Sequence, residues 1–488
     1  MFKVFNLHIS KWKLVLFTGD CVAYCLSMIL GLYGDPKIGR EVWGFVHKNI
    51  TAFFLIGLIY LLVLYIADAY NYQQDFRRRV NIARLILSGL LGTLTVVVVF
   101  YFPFGAFIGR TLLIIHAPVF IGLLLVWRYS FSALALPQRL QRQVLIIGSG
   151  RSGRRILEAI RNRPRVGLTP LGFIDDDPGK IGAKIEGLPV MGNSAQIVEV
   201  VRQHQPNLLV LVAITNHKSN SLINALNKIS WTGCQLMDMP SLYEFLAGKI
   251  PIDHIPDAWF YLTSMQVNKV YSRHLKRLLD LGLTLVSLAV FWPLFLFIPL
   301  AIKLDSPGSV FFRQERLGQD GKPFQILKFR TMIEGAERLG PQWAGKDDIR
   351  VTRVGRVLRK MRLDELPQLL NVIAGDMSFI GPRPERQMFI QEFQELVPDF
   401  RPGRRAGDAP GAMVQCGYKE EIPFYSCRLL VKPGLTGWAQ VMYPYASSLE
   451  QTREKLQYDL YYIKNMGVFL DLAILLKTIR IVLFGRGI

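Results

Sequence analysis

Four apolar stretches, residues 14–33, 50–69, 85–104 and 112–131, fill most of the first 135 positions. Each approaches the ~20 residues an α-helix needs to cross the hydrocarbon core of a bilayer. The first is too long, and too closely followed by others, for a cleaved leader peptide. Lys3, Lys11 and Lys13 precede the first stretch, and Arg77, Arg78, Arg79 and Arg84 separate the second from the third. Arg139, Arg142, Arg151 and Arg154 follow the fourth. The positive-inside rule then places the N-terminus and everything after residue 135 on the cytoplasmic side.

A fifth apolar stretch, LLDLGLTLVSLAVFWPLFLFIPLAI at 278–302, has the length of a span. Arg273, Lys276 and Arg277 stand before it, and Lys303, Arg313 and Arg316 follow. Crossing would carry a basic C-terminal half to the wrong side. Pro293 and Pro299 each remove a helix hydrogen bond. The expected element is a re-entrant helix-break-helix that enters the inner leaflet and returns.

Lys plus Arg number 58 against 37 Asp plus Glu, so the chain needs an anionic partner. Basic runs beside apolar runs favour lipid and phosphate, and no nucleic acid is required to explain them. Cys21, Cys25, Cys234, Cys416 and Cys427 are scattered without metal-ligand spacing and read as reduced structural thiols.

After residue 141 the texture becomes α/β. A short strand at 144–147 runs into Gly148-Ser149-Gly150-Arg151-Ser152-Gly153 and a helical pattern. This is GxGxxG between strand and helix, the context of a dinucleotide site. Gly148, Gly150 and Gly153 are the candidate cofactor glycines. Asp175, after the strand at 171–174, is the acid placed to meet a ribose hydroxyl, and 208–214 reads as a further buried strand. A Rossmann-like domain over 136–265, with a dinucleotide or nucleotide as its cofactor, is expected. No YxxxK-type pair marks it as an oxidoreductase. Arg151, Arg154 and Arg155 serve a phosphate or solvate a helix face.

Strand-like runs at 310–317 and 323–327 precede KFRTM at 328–332. Arg350, Arg353, Arg356, Arg359 and Arg362 then recur every three residues, spread over a broad helix face, into Asp364-Glu365. Adjacent helical carboxylates point about 100° apart, so one can hold a metal while the other faces substrate. Mg²⁺ takes one or two carboxylates plus phosphate oxygens. A carboxylate attacks phosphorus once phosphate charge is neutralised. Arg383 between Pro382 and Pro384 is preorganised for bidentate phosphate contact.

KFRTM, RLDELPQLLNVIAGDMSFIGPRPE at 362–385, VKPGLTGWAQV at 431–441 and YDLYYIKNM at 458–466 resemble the bacterial polyprenyl-phosphate sugar-1-phosphate transferases. Within them, the large form with N-terminal spans and a Rossmann-like domain, in its exopolysaccharide branch, is the most similar. The resemblance covers 271–488 and implies a monotopic transferase domain anchored by the re-entrant helix. It implies that Asp364 attacks the sugar-linked phosphate of a UDP-sugar, releasing UMP, and that polyprenyl phosphate then takes the phosphosugar. Glu365 would help hold Mg²⁺. Lys328, Arg359 and Arg383 fall where phosphate contacts are needed, and Asp459 at the metal or sugar site. Undecaprenyl phosphate, the UDP-sugar and membrane lipid are the partners, with the first two domains offering surface for a homodimer. The location implied is the bacterial inner membrane, catalytic domain on the cytoplasmic face.

The expected fold class is therefore an α-helical membrane region (1–135) plus α/β, followed by the transferase domain. Residues 398–421 look like an insertion rich in Gly, Pro and Arg, and Gly467 replaces a Ser common in the family. Residues 468–484 fit an amphipathic helix on the membrane surface. The competing reading is a membrane scaffold or nucleotide-sensing regulator of polysaccharide assembly. Asp364, Glu365 and Arg383 together favour the enzyme.

Overall fold

A computed structural model of the protein describes residues 2–4, 7–9, 11–36, 38, 41–71, 74, 76–101, 110–134, 142–163, 167–204, 208–213, 220–231, 234–254, 271, 275–336, 348–384, 424–443 and 449–484. The chain forms two compact units, one essentially His8–Leu246 and the other Ala247–Ile488. The insertion expected at 398–421 lies outside the described residues.

The first unit begins with helices α1 (Lys11–Gly34), α2 (Val42–Ile66), α3 (Arg79–Tyr101) and α4 (Arg110–Leu134). All four are long and apolar enough to cross a membrane, which marks a membrane protein. A helix bonds its own backbone polar groups, as hydrocarbon demands. Phe54, Leu87 and Ile114 point outward at 72%, 68% and 72% exposure, a surface suited to lipid rather than water. Inside, Tyr60 and Phe120 pack with ring centroids 4.7 Å apart.

Among the described residues, one ion pair is buried in this bundle. Arg128 of α4 donates to Asp20 of α1 at 2.5 Å and to the Ala69 carbonyl at 2.8 Å. Its guanidinium also lies over the Phe76 ring at 4.9 Å. Two charges in hydrocarbon survive only as partners. Arg128→Met is therefore expected to cost about 3–5 kcal/mol, because it strands Asp20, and adding Asp20→Leu should recover most of that loss. Thermal unfolding of the three proteins in nanodiscs checks it.

The rest of the unit is α/β: β1 (Arg142–Ile147), α5 (Arg151–Arg161), β2 (Leu168–Ile174), β3 (Lys184–Ile185), β4 (Leu188–Gly192), α6 (Ile197–His204), β5 (Leu208–Val212), α7 (Asn220–Ser230), β6 (Gln235–Asp238) and α8 (Met239–Ala247). The strands lie in the order β3-β4-β2-β1-β5-β6, parallel except for the β3–β4 hairpin. Central β1 and β5 read as apolar runs because helices cover both faces of a parallel sheet. The chain winds outward from β1 first through β2, then through β5, which makes a switch point at the carboxyl end of β1. The Gly148–Gly153 turn sits there. A Cβ on Gly153 would come within 2.0 Å of the Gly148 carbonyl oxygen, so glycine is what lets α5 pack against the strand end.

The second unit opens with α9 (Lys276–Phe291) and α10 (Leu294–Asp305), bent by 61° at the Trp292-Pro293 break. Next come the antiparallel pair β7 (Phe311–Leu317) and β8 (Pro323–Phe329), then α11 (Arg353–Met361), a 3₁₀ turn at Leu363–Glu365 and α12 (Gln368–Ala374). Strand β9 (Ser378–Ile380) pairs in parallel with β10 (Gly434–Thr436), and α13 (Trp438–Met442), α14 (Leu449–Asn465) and α15 (Val468–Phe484) follow. Leu369, Phe379, Ile380, Trp438, Leu460 and Tyr462 form the main core between these elements. Phe329, Leu358, Ile298 and Ile302 form a second core that seats α10 on β8 and α11. Helix α15, expected to lie amphipathic on the membrane surface, does not turn its polar side outward: Phe469 and Leu472 are each 48% exposed. Asp471 is buried and accepts from Lys276 Nζ at 2.7 Å and the Tyr271 hydroxyl at 2.5 Å.

Candidate active site

The Asp-Glu pair does not sit on the helix that carries the arginine run. Helix α11 ends at Arg362, whose φ of 58° puts it in the left-handed region, and the chain restarts as the 3₁₀ turn holding Asp364 and Glu365. A non-glycine residue there is strained, and such strain concentrates at functional sites. Pro367 then opens α12. The turn sets Glu365 against Lys328 of strand β8 and Arg383 of the Gly-Pro-Arg-Pro segment.

Glu365 is 9% exposed and collects cations. Its Oε1 lies 2.8 Å from an Arg383 guanidinium nitrogen, 3.4 Å from Lys328 Nζ and 3.7 Å from Arg362. Burial alone would raise its pKa, but Arg383, Lys328 and Arg362 outweigh burial and hold it down at about 2. Asp364 is shifted the other way. Burial pushes its carboxyl above the ordinary range, and the Glu365 charge adds to that, against Lys328, Arg383 and Arg362. Burial likewise pushes the Lys328 amine down, and Arg383 and Arg316 reinforce the shift. Two adjacent carboxylates thus have unlike environments: one is neutralised by the protein, the other only in part.

Asp364 Oδ1 is buried and has no hydrogen-bond partner among the described residues. A bare buried carboxylate oxygen costs free energy unless something fills its place. No group of three or more His, Cys, Asp or Glu that could cage a metal occurs among the described residues. The donor set fits a hard cation held by one or two carboxylates and completed by substrate oxygens, the habit of Mg²⁺.

Arg383 reaches the cluster because two loops interlock. Gly381 N–H donates to the Thr436 carbonyl and Gly434 N–H to the Pro382 carbonyl, both at 2.8 Å. A Cβ on Gly434 would come within 2.0 Å of Gly381 N, so only glycine permits that crossing. GPRP and VKPGLTG are therefore two halves of one backbone clasp.

The remaining sequence candidates fall in different layers. Arg359 is half-buried, its Nε donating to Thr331 Oγ1 at 2.9 Å. Arg350 is engaged by Asp348 and Arg353 and Arg356 are exposed, so the run delivers Arg362 to the carboxylates rather than all five. Asp459 does not join the cluster on Glu365. It is 1% exposed and pairs with Arg428 at 2.9 Å, whose Nη2 donates to the Arg383 carbonyl at 3.0 Å. It supports the phosphate arm from behind. Arg428 and Arg316, which donates to the Pro384 carbonyl at 3.3 Å, were not singled out from sequence. Nothing in their spacing distinguishes them, since both matter through folds of the chain 45 to 68 residues apart.

In the first unit, Gly148 adopts φ 97°, and Gly150 has open space where a side chain would stand. Asp175 is turned inward. Its Oδ2 accepts from the Ser149 amide at 2.9 Å and from the Ser149 hydroxyl, and its Oδ1 accepts from the Asp177 amide at 3.1 Å. Burial raises its pKa, but the Ser149 and Asp177 bonds and Lys180 prevail and leave it below the ordinary value. The acid expected to meet a ribose hydroxyl holds the glycine turn.

The family described as bacterial sugar transferase matches residues 271–485, and that described as a CoA-binding domain matches residues 65–240. The UDP-N-acetylgalactosamine-undecaprenyl-phosphate N-acetylgalactosaminephosphotransferase of Aeromonas hydrophila is 40% identical over 259 residues, 52% of this chain and 55% of that protein. The UDP-glucose:undecaprenyl-phosphate glucose-1-phosphate transferase of Escherichia coli (strain K12) is 30% identical over 347 residues, 70% of this chain and 67% of the relative. A protein of the same description from Caulobacter vibrioides (strain ATCC 19089 / CIP 103742 / CB 15) is 41% identical over 206 residues, covering 42% and 68%. The chain thus spans about half the length of the Aeromonas relative and about two thirds of the other two. With the family model matched over 271–485, and relatives of 30% and 41% identity each covered to about two thirds, the chain belongs to the bacterial sugar transferase family.

Proposed function

We propose that the protein moves a sugar-1-phosphate from a UDP-sugar to undecaprenyl phosphate, releasing UMP and initiating exopolysaccharide or O-antigen synthesis. The observation that carries this reading is the contrast within the Asp-Glu pair: Glu365 gathers three cations, while Asp364 beside it keeps a buried oxygen without a hydrogen-bond partner among the described residues. Asp364 attacks the sugar-linked phosphorus. The new bond joins its carboxylate oxygen to phosphorus, and the bond broken is the one to the bridging oxygen, which leaves with UMP. An oxygen of undecaprenyl phosphate then attacks the same phosphorus and the Asp364 carboxylate departs. Lys328, Arg362 and Arg383 neutralise phosphate charge that would otherwise repel the nucleophile. Mg²⁺, which Glu365 would help hold, would supply further charge neutralisation on the phosphates.

The bent α9–α10 pair serves as a re-entrant anchor, so that soluble donor and lipid acceptor meet at one depth on the cytoplasmic face of the inner membrane. Exposed Leu278, Leu285, Val286 and Phe297 support its burial in lipid. The α/β region is Rossmann-like by strand order, with room for a nucleotide's phosphates at Gly150, its Asp175 being engaged elsewhere.

The test is UMP release from a panel of UDP-sugars by the full chain with undecaprenyl phosphate and Mg²⁺. Turnover of at least one donor is expected; no release from any donor by folded protein overturns the reading.

The pH profile should follow the Asp364 shift. A nucleophilic carboxylate must be ionised, and its raised pKa means ionisation is lost at a higher pH than for an ordinary Asp. The acid limb of kcat/KM is expected above the usual carboxylate range. Glu365→Gln removes the like charge and should move that limb to lower pH while reducing the maximum. A limb that stays in place would contradict this assignment.

A further inference from the structure

Helix α9 has two faces with different tasks. Lys276, Asp280 and Thr284, four residues apart, are buried against the catalytic unit, while Leu278, Leu285, Val286 and Val290 are 61–68% exposed. A segment serving only to enter lipid would have no use for a buried carboxylate, which is costly to desolvate. Two of its residues instead bond to the segments that carry the active site.

Arg277 donates to the Val372 carbonyl at 2.5 Å and to the Ile373 carbonyl at 2.8 Å. These belong to the last turn of α12, where the Val372 carbonyl also accepts from the Gly375 amide at 3.2 Å, so the guanidinium adds bonds at the helix end and complements its dipole. Helix α12 begins three residues after Glu365. One turn further along α9, Asp280 Oδ1 accepts from the Ser378 hydroxyl at 3.0 Å and from the Phe379 amide at 3.1 Å. Strand β9 then runs straight into Gly381-Pro382-Arg383. The nucleophile turn and the phosphate arm are thus both fastened to the first two turns of one membrane helix.

We propose that Arg277 and Asp280 are positioning residues which set the spacing between Asp364 and Arg383, so that the transferase site is held in register by its own membrane anchor. Its catalytic consequence rests on the transfer reaction proposed above. Displacing α9 relative to the catalytic core would separate the carboxylates from the arm that neutralises the phosphates, which couples activity to the seating of the hairpin.

Hydrogen exchange and UMP release would be measured on the full chain in nanodiscs for Asp280→Ala, Asp280→Asn and Ser378→Ala. Asp280→Ala should speed exchange across 378–384 about tenfold or more, since it removes the acceptor of two buried bonds. It should also raise KM for the donor more than it lowers kcat. Asp280→Asn keeps an acceptor oxygen and should restore most of both. Ser378→Ala removes the hydroxyl's bond to Asp280 and its contacts with the Ile380 backbone, leaves the Phe379 amide bond to Asp280, and should show a smaller change in the same direction. In an Arg383→Ala background, Asp280→Ala should change UMP release by less than about threefold, because its effect runs through Arg383. Unchanged exchange in Asp280→Ala, equal damage from Ala and Asn, or full multiplication with Arg383→Ala would each overturn the proposal. Should the wild type release no UMP from any donor, the transfer reading fails, while the exchange comparison still decides the positioning role.

Discussion

Asp364→Asn is expected to abolish transfer while making the folded protein no less stable. The nucleophile is lost outright, and removal of a residue that forms the covalent bond lowers turnover by roughly 10⁴-fold or more. Stability should move independently. The folded-state pKa of Asp364 is raised by burial and by Glu365, so at neutral pH its charge opposes folding. Asparagine relieves that opposition with nearly the same shape. Glu365 is the mirror case. Its folded pKa of about 2 lies below the ordinary 4.5, so its charge stabilises the fold above the ordinary value, and that contribution is lost as pH falls through the folded one. Glu365→Gln should therefore lower Tm, and Asp364→Asn should leave it unchanged or raise it. Thermal unfolding at pH 7 beside UMP release separates the two carboxylates. A drop in Tm for Asp364→Asn would mean that the cations are held by Asp364 instead.

Arg383→Ala should lower UMP release about 10²–10³-fold, the usual loss when one preorganised donor to developing phosphate charge is removed. The arm itself should survive, because its backbone is clasped through Gly381, Pro382, Gly434 and Thr436 rather than through the guanidinium. Arg383→Lys is not expected to rescue it. A planar fork serves Glu365 and a phosphate together, whereas an ammonium is a point charge on a flexible stem. Steady-state rates for both variants, beside unfolding curves, check this. Recovery by lysine to within a few-fold of wild type would show that charge alone is needed.

The four spans, the parallel strands and the two proline-marked helices were legible because each is a local pattern: a run of apolar residues long enough for a bilayer, a short buried strand, or a ring that removes a donor. The carboxylate pair, Lys328 and Arg383 were legible as chemistry, and the fold brings Lys328 and Arg383 within 3.4 Å of one Glu365 oxygen. Three features were not. The break at Arg362 places the pair in a 3₁₀ turn, and no propensity rule marks an arginine for the left-handed region. Asp459 and Asp175 each looked like a ligand-facing acid, yet both face inward, to Arg428 and to Ser149. A carboxylate's direction depends on which donor the tertiary fold delivers, and that is invisible in spacing. The buried face of α9 was hidden for a similar reason: within an apolar run, Asp280 and Thr284 look like interruptions until Ser378 and Phe379 arrive beside them.

The most direct measurement is the intact mass of the purified chain after incubation with an accepted UDP-sugar and Mg²⁺ in the absence of undecaprenyl phosphate. One equivalent of UMP should be released, with a mass gain of one sugar phosphate that maps to Asp364, disappears on adding undecaprenyl phosphate and never forms in Asp364→Asn. UMP release that requires the lipid from the outset, with no adduct at any time, would contradict a covalent Asp364 intermediate and point to direct transfer between the two substrates.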